Sequence, residues 1–482
     1  MAASYFFYDL ETSGLSTSAA RVMQFAGQRT DENLEPIGEP VNVLIKLAGD
    51  VLPEPEAILL TGITPQQTLV DGLTEAEFLQ FFYEDVVQAN TTFLGFNSVR
   101  FDDEFMRYLH YRNFYDPYEW QWCNNCTRWD VLDLVRMTRA LRPEGIEWPF
   151  TPEGKPTNRL ELLTKLNGLE HSQAHDALSD VYATINVAKL IRNKQTELFK
   201  YLFECRGKKK VSEVVLPGQP FVYTSGKYST EFLNTSAAVL LAEQPKDGSS
   251  LVFDLRYNPV EFAAMTVEAL VAAWRYQPGK VINFPVKSLK FNRCPAIAPL
   301  GVMKKPEVEA RLQLPLMTVT AHYNNFKKVH QELATKIQTA HDILEAERTL
   351  ARADGPVPAA DSRLYDGFIA AGDKAVMAEI RRSKANDLSA FAAKLTDDRL
   401  QALLPLYKAR NFPRTLSSDE RAAWDVHCAA ALFDGGSQSR LAVYFARLTE
   451  LGTQPALTDN QRFLIEEMQL YGESIMPSDA DG

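Results

Sequence analysis

The chain has few cysteines, no long hydrophobic run and no excess of positive charge, and each shortage excludes a class of protein. Its 482 residues include five cysteines, too few for a disulfide-stapled secreted scaffold. Only Cys123 and Cys126, in the sequence CNNC, lie close together, and the second ligand pair that a zinc site would need is not found. We interpret CNNC as reduced thiols in a surface loop, which fits a cytoplasmic protein.

Membrane segments and an ATP-binding motif are also missing. No stretch reaches the ~18 uncharged apolar residues of a membrane span, and the N-terminal apolar run has no basic leader and is interrupted by Asp9. The SGK at 225–227 lacks the upstream glycine of a phosphate-binding loop. We therefore expect no membrane contact and no need for ATP. Since the formal net charge is −11, any nucleic-acid binding would need a local basic groove or metal ions.

The order of predicted elements indicates several domains. Three aromatic or apolar strands open the chain, and helices then alternate with a further strand, which is typical of an α/β domain. Alternating apolar stretches follow, and helical periodicity returns after a segment rich in Pro, Gly and Ala. We predict an α/β domain, a β-rich domain, a linker, a helical domain and a disordered tail, with the respective bounds 1–202, 203–350, 351–361, 362–475 and 476–482.

Two acids close the first strand, in SYFFYDLE. Asp9 and Glu11 are two residues apart, so in a strand they point to the same face. Two carboxylates held this close repel each other, and burial adds to the cost. A divalent cation relieves both penalties, and oxygen ligands favour Mg²⁺ or Mn²⁺. Read alone, the pair is also compatible with an ordinary polar surface.

Two further motifs carry acids at element boundaries. In GFNSVRFDDEF, Asn97, Phe101 and Asp102 lie where a strand leads into a helix, although acids at a helix N-terminus are common without catalysis. In HSQAHDALSDVYATI, His175 precedes a helix and Asp180 lies beside its apolar face, where an unpaired carboxylate would be costly.

Taken together and in this order, the three motifs resemble the DEDD exonuclease superfamily, in its histidine-bearing branch with a ribonuclease H-like fold. The resemblance implies that four acids bind two metal ions, Mg²⁺ with Mn²⁺ possible, while a histidine acts as general base. The matching catalytic residues are Asp9, Glu11, Asp102, His175 and Asp180, of which the four acids are the metal ligands.

Longer stretches, such as VRFDDEFMRYLHYRNFYDPYEW and ARNFPRTL, resemble the bacterial exonuclease I family. That family removes nucleotides from the 3′ end of single-stranded DNA, in DNA repair and recombination, and releases 5′-mononucleotides. The implied fold class is α/β: a ribonuclease H-like exonuclease domain, an SH3-like β-rich domain and a C-terminal helical domain. These domains form a ring-like groove, and we expect a monomer.

The resemblance also implies DNA contacts. Aromatic rings can stack bases of a single strand with little sequence preference, and Tyr118 and Trp122 are the better candidates in an aromatic-rich segment whose Phe114 and Trp120 we assign to the core. The remaining substrate-binding positions implied by the family are Glu11, Arg107, Arg136, Arg159 and Lys208.

A protein partner is implied as well. The family binds the acidic C-terminal tail of single-stranded DNA-binding protein, and Arg142 and Tyr201 resemble positions of that surface. Between Pro217 and Val222 the chain is two residues shorter than the family pattern, and an expected basic residue is absent there.

Two other interpretations stay open. One is a 3′→5′ exoribonuclease of the same superfamily, although such chains are close to the first domain in length. The other is a catalytically inactive clamp for single strands, against which the intact acids and His175 argue.

Overall fold

The computed structural model describes residues 3–171, 176–244, 248–275, 284–353 and 358–476. The first unit is the α/β domain that the sequence predicts. Its strands are β1 (Ser4–Thr12), β2 (Val22–Thr30), β3 (Val41–Leu44), β4 (Thr91–Gly95) and β5 (Thr127–Asp130). Its helices are α1 (Pro55–Thr61), α2 (Pro65–Asp71), α3 (Glu75–Phe81), α4 (Asp102–Arg112), α5 (Val131–Leu141), α6 (Leu160–Leu166), α7 (Ala177–Lys194) and α8 (Thr196–Glu204).

β1 is the central strand of a five-stranded sheet with the order β3-β2-β1-β4-β5. It pairs antiparallel with β2 and parallel with β4. Alternate residues of β1 point into two separate cores. Phe6, Tyr8 and Leu10 belong to a cluster that includes residues of α3 and α4, whereas Phe7 belongs to the cluster that includes residues of α5 and α7. Because the side-chain period is two, Asp9 and Glu11 share the face of Phe7, next to α7.

The second unit contains an antiparallel sheet with the order β10-β6-β7-β8-β9. Its strands are β6 (Phe221–Thr224), β7 (Thr235–Gln244), β8 (Ser249–Asp254), β9 (Val286–Lys290) and β10 (Ala296–Pro299). Its helices are α9 (Lys208–Val215), α10 (Pro259–Ala263), α11 (Val267–Trp274), α12 (Pro306–Leu312) and the long α13 (Leu316–Ala353). The 38 residues of α13 make this unit more helical than its alternating apolar pattern indicates.

The third unit is helical, as predicted. It contains α14 (Ala371–Arg382), α15 (Asp398–Asn411), α16 (Ser418–Phe433), α17 (Arg440–Gly452) and α18 (Asp459–Ser474). Its apolar residues continue two cores of the first unit: Tyr108, Tyr111 and Phe114 pack with Leu364 and its neighbours, and Met23 and Ile58 pack with residues of α17 and α18. Among the described helices, none combines the length and apolarity that crossing a membrane requires.

A buried charge cluster also joins the first and third units. Arg410 of α15 lies 2.6 Å from Asp50 and 2.9 Å from Asp361, and Arg21 lies 2.6 Å from Asp361. Burial raises the pKa of Asp361, but Arg410 and Arg21 outweigh it and hold the pKa at about 2. The removal of either arginine would leave buried carboxylate charge without compensation, which is strongly destabilising.

His110 of α4 predicts a pH dependence of stability. The ring is fully buried, its Nδ1 lies 2.6 Å from the carbonyl oxygen of Met106, and it stacks on Trp120. Burial lowers its pKa from 6.5 to about 3. Between these two values the unfolded chain takes up a proton that the folded chain refuses, so stability falls as the pH falls, by up to about 1.4 kcal/mol per pH unit. In His110→Phe, chemical denaturation at pH 7 and pH 5 should give a smaller loss of unfolding free energy than in the unmodified chain; equal losses would contradict the assignment.

Candidate active site

The end of β1 presents Asp9 and Glu11 at the surface of the sheet that faces α7. Their backbones are held by the antiparallel register with β2, which places Asp9 opposite Ala26 and Glu11 opposite Gln24. The register shifts directly after Glu11, so the ladder is interrupted where the acids end the strand.

α7 delivers a third acid to the same place. Asp176 caps the helix by accepting a hydrogen bond of 3.0 Å from the Ser179 N–H, and Asp180 follows in the first turn. One carboxylate oxygen each from Asp9, Glu11 and Asp180 lies within 4.8 Å of the others. The sequence placed these acids in separate motifs, and the fold brings them together.

Asp102 approaches from the other side, at the first residue of α4. Asn97, in the preceding loop, has a left-handed backbone with φ of 70°, which asparagine tolerates better than most residues. Its N–H donates to Asp130 at 3.0 Å, and this bond holds the turn from β4 into α4. Asp102 is buried, and among the neighbouring charges it is the largest contributor to the raised pKa of Asp9.

Burial and negative charge dominate the electrostatics of the cluster among the described residues. Burial, followed by the charge of Asp102 and then of Glu11, raises the pKa of Asp9 well above its ordinary value. Burial and the charge of Asp180 raise the pKa of Glu11 to about 8. Burial also raises the pKa of Asp102 to about 8, against two backbone N–H groups that lower it. Carboxyl groups with these neighbours fit a divalent cation, which would restore their ionised form.

His171 is a residue of this site that the motif analysis did not single out. Its Nε2 lies 2.6 Å from Oδ1 of Asp180, and its Nδ1 lies 3.0 Å from the hydroxyl of Thr164. A histidine that holds a metal-binding carboxylate in this way fixes its orientation. The only sequence signal was a second histidine in HSQAH. His175, the predicted general base, lies outside the described residues.

Asp103 and Glu104 follow Asp102 and connect the three units. Asp103 accepts a hydrogen bond of 2.6 Å from Tyr8 and also pairs with Arg128, whose other terminal nitrogen donates to the carbonyl of Asn292 in the second unit.

Glu104 pairs with Arg107 at 2.6 Å and with Arg293 of the second unit at 2.7 Å, and it accepts a hydrogen bond from Tyr365 of the third unit. The first turn of α4 therefore contacts both other units, through the side chain of Glu104.

The predicted DNA contacts lie in different surroundings. Arg107 is buried, paired with Glu104, and lies over the ring of Tyr118 at 5.2 Å. Trp122 is 63% exposed, whereas Trp120 and Phe114 are fully buried, as the sequence indicated. An exposed indole beside a partly exposed tyrosine provides two rings on which bases can stack.

The remaining basic candidates are spread over the surface. Arg136 pairs with Asp133 at 2.8 Å. Its guanidinium also packs against Gly226 of the second unit, so closely that a Cβ atom added to this glycine would lie 3.1 Å from the guanidinium. The Arg159 side chain is 74% exposed at the start of α6, and Lys208 is exposed as the first residue of α9.

Of the two predicted partner-binding residues, Arg142 ends α5 and donates to the Leu141 carbonyl at 2.6 Å. Tyr201 is partly buried in α8 and packs against two of the cores.

Family models match three consecutive parts of the chain. The exonuclease model matches residues 6–188, the exonuclease I SH3-like domain residues 206–342, and the exonuclease I C-terminal domain residues 358–475. Exodeoxyribonuclease I of Haemophilus influenzae is 39% identical over 87% of this chain and 89% of its own length. The protein of the same name from Escherichia coli is 38% identical over 88% of this chain and 89% of its own length. The chain belongs to the exonuclease I family.

Solved structures of this family agree over the whole chain. Escherichia coli exonuclease I in complex with a dA16 oligonucleotide matches with a TM-score of 0.90 at 35% identity, and covers 98% of this chain and 100% of its own. A complex titled SSB/exonuclease I with an inhibitor gives 0.88 at 34% identity, over 99% and 100%. The zinc-bound form of an E. coli exonuclease I–ssDNA complex gives 0.90 at 34% identity, over 99% and 100%.

Membership of the exonuclease I family establishes an exodeoxyribonuclease and confirms the predicted fold class. The first unit is the exonuclease domain, the second is SH3-like and the third is the C-terminal domain. An exonuclease domain implies dependence on a divalent metal.

Asp9→Asn tests the repulsion within the acid cluster. Because the neutral amide removes one of the facing carboxylates, the metal-free variant should melt at the same temperature as the unmodified chain or a few degrees higher. Added Mn²⁺ should raise the melting temperature of the unmodified chain and leave that of the variant nearly unchanged. Asp85→Asn, at an exposed position of the same domain, is the control and should retain the full Mn²⁺ shift. A clear fall in the melting temperature of the metal-free Asp9→Asn variant would contradict this expectation. It would show that the other contacts of Asp9 stabilise the fold by more than charge repulsion destabilises it.

His171→Ala tests whether this residue positions Asp180. Loss of such an outer ligand weakens metal affinity by about 10–100-fold in comparable sites. The Mn²⁺ concentration for half-maximal exonuclease activity should rise by this factor, and activity should recover at high Mn²⁺. A fall in activity that no Mn²⁺ concentration restores would assign His171 a different role.

Proposed function

We propose that the chain hydrolyses single-stranded DNA from its 3′ end to 5′-mononucleotides, with two divalent ions held by Asp9, Glu11, Asp102 and Asp180. The observation that carries this proposal is the convergence of three carboxylate oxygens within 4.8 Å, with buried Asp102 beside them. The complex of a 35%-identical relative with a dA16 oligonucleotide supports the substrate class.

Mg²⁺ is the ion we assign, with Mn²⁺ able to replace it, because the ligands are all carboxylate oxygens. Bound in this cluster, the ions would activate water and stabilise the charge on the leaving 3′-oxygen. The chain contributes the geometry: β1 fixes two ligands, the capped start of α7 the third and the start of α4 the fourth.

His175 is proposed as the general base that accepts the proton of the attacking water. With an ordinary histidine pKa near 6.5, it would be able to do so close to neutral pH. Its position two residues before the first residue of α7 would place it near Asp180 in the chain. His171 already pairs with Asp180, so the two histidines of HSQAH would have separate tasks.

Substrate binding is proposed to extend from Glu11 and Arg159 at the terminal nucleotide to Tyr118 and Trp122, where bases would stack. Arg107, Arg136 and Lys208 would neutralise phosphates. Arg107 is already neutralised by Glu104, so its contact with DNA would require this pair to rearrange.

A protein partner is proposed at the end of α5. The relative whose structure is titled SSB/exonuclease I supports single-stranded DNA-binding protein as the partner, and its acidic tail would be attracted by Arg142. Arg311 of α12 adds a second guanidinium there: its Nη1 donates to the Ala140 carbonyl at 2.9 Å, and its Nη2 lies 3.6 Å from Glu144. We further propose a monomer that acts in DNA repair and recombination in the cytoplasm.

The decisive experiment uses 5′-labelled DNA and RNA oligonucleotides of one sequence, with Mg²⁺ and without ATP, read as a product ladder. We expect the DNA to shorten from its 3′ end, with activity lost in EDTA and in Asp9→Ala and His175→Ala. Asp85→Ala serves as the matched acidic control.

Preferential shortening of RNA would move the chain to the exoribonuclease interpretation. Binding without cleavage of either strand would support the inactive clamp, and full activity in His175→Ala would remove the general-base assignment.

Lys208→Ala tests the basic surface at the start of α9. Each phosphate neutralised by a lysine contributes about 0.7 to the slope of log affinity against log salt on a single strand. Binding of oligo-dT, measured by fluorescence anisotropy in EDTA at several salt concentrations, should weaken, with a slope reduced by about this amount. Lys200→Ala, at another exposed lysine with a nearby acidic neighbour, is the control. An unchanged slope in Lys208→Ala would place this residue outside the DNA path.

A further inference from the structure

The CNNC segment has no role in the proposed reaction, yet the fold brings its two thiols together. The Cys126 N–H donates to the Cys123 carbonyl oxygen at 2.8 Å, which closes a tight turn. The ends of such turns lie less than about 7 Å apart between Cα atoms, and disulfides span about 4.4–6.8 Å between Cα atoms.

The turn is held in place by its surroundings. The Asn90 N–H donates to the Asn124 carbonyl at 3.0 Å, and the Asn125 side-chain amide donates to the Asn90 side chain at 2.8 Å. Asn124 and Asn125 both adopt positive φ, 50° and 62°, a conformation that asparagine tolerates. The hydrogen-bonded turn therefore holds the backbones of the two cysteines at a separation in the range that disulfides span.

A metal site does not account for the pair. Among the described residues, a group of three or more side chains placed to hold a metal ion occurs only at the acid cluster of Asp9, Glu11 and Asp180. Two thiols without further ligands are insufficient for zinc, which takes four.

We propose that Cys123 and Cys126 are a reversible disulfide site that reacts with small-molecule disulfides. Cys123, the more exposed of the two, attacks one sulfur of the small disulfide as its thiolate; a mixed disulfide forms and one small thiol leaves. Cys126 then attacks the Cys123 sulfur and expels the second small thiol. Two protein thiols are oxidised to one disulfide, the small disulfide is reduced to two thiols, and the protons of the protein thiols pass to the leaving thiolates.

The surroundings set the rate of this exchange. Burial and the neighbouring Cys126 raise the pKa of Cys123 to about 11, and the Cys126 thiol donates to the Gln88 carbonyl at 3.3 Å. Since the thiolate is the nucleophile, exchange is slow at neutral pH and faster in alkaline solution. The residue before Cys123 is the exposed Trp122, so the covalent bond would close directly beside the proposed base-stacking surface.

The test counts thiols in the folded full-length protein. The reduced chain is incubated with oxidised glutathione at alkaline pH, quenched in acid, unfolded, alkylated with iodoacetamide and weighed. Without oxidant all five cysteines should be alkylated. After oxidation three cysteines should be alkylated, and no glutathione should be attached. A peptide map should show a disulfide between Cys123 and Cys126. Treatment with dithiothreitol should restore all five labels.

Matched variants locate the bond. Cys428→Ser, a cysteine of the C-terminal domain, should lose two labels on oxidation, as the unmodified chain does. Cys123→Ser and Cys126→Ser should lose none to an internal disulfide, and the first should also carry no glutathione. Five labels on the oxidised unmodified chain, a stable glutathione adduct that leaves Cys126 free, or a disulfide that involves Cys205 or Cys294 would each overturn the proposal.

Discussion

Repulsion among buried carboxylates is the constraint around which the exonuclease domain is organised. Asp9 and Glu11 cannot move apart, because each is fixed by the ladder between β1 and β2. Asp102 and Asp180 begin or nearly begin helices, whose first turns favour negative charge, yet both are directed at the same space. Burial, followed by the charges of neighbouring acids, raises the pKa of Glu11 and of Asp102 to about 8 each. A divalent cation held by these acids, as we propose, would offset their repulsion.

The same region also joins the domains. In three successive residues of α4, Asp102 faces the acid cluster, Asp103 is held by Tyr8 and Arg128, and Glu104 pairs with Arg293. A displacement of the SH3-like or C-terminal domain would act on the first turn of the helix that carries Asp102, a proposed metal ligand. Arg107 is buried and belongs to this network through its ion pair with Glu104. The phosphate contact proposed for Arg107 from the family therefore depends on whether Glu104 can leave Arg107 and keep its bonds to Arg293 and Tyr365.

Local patterns were sufficient to predict much of this architecture. The two-residue spacing of Asp9 and Glu11 implied one face of a strand, and both residues lie in β1 of the structure. The α/β, β-rich and helical order followed from periodicity. The convergence of Asp180 on β1 depended on the family resemblance, because no local pattern measures a distance across 170 residues.

Contacts between residues far apart in the sequence could not be predicted, because local patterns carry no information on them. The sequence around His171 indicates no role for it, and only the structure shows that its Nε2 lies 2.6 Å from Asp180. Arg410, Asp50 and Asp361 come from distant parts of the chain, and nothing in their sequence neighbourhoods shows that they will share one buried cluster. The 38-residue helix α13 was not predicted. The alternating apolar pattern of the preceding strands indicated a β-rich domain up to residue 350.

The junction at Glu104 has a consequence for synthesis on the ribosome. Every acid of the proposed metal site has been made once residue 180 is incorporated, but the partners of Glu104 from the other domains are Arg293 and Tyr365. Domains generally fold as units, with the N-terminal one first. The nascent chain therefore contains all four proposed metal ligands for more than a hundred residues of translation before the contacts that unite the three domains can form. During that interval the acid cluster belongs to an exonuclease domain whose first turn of α4 still lacks its contacts with the other two domains.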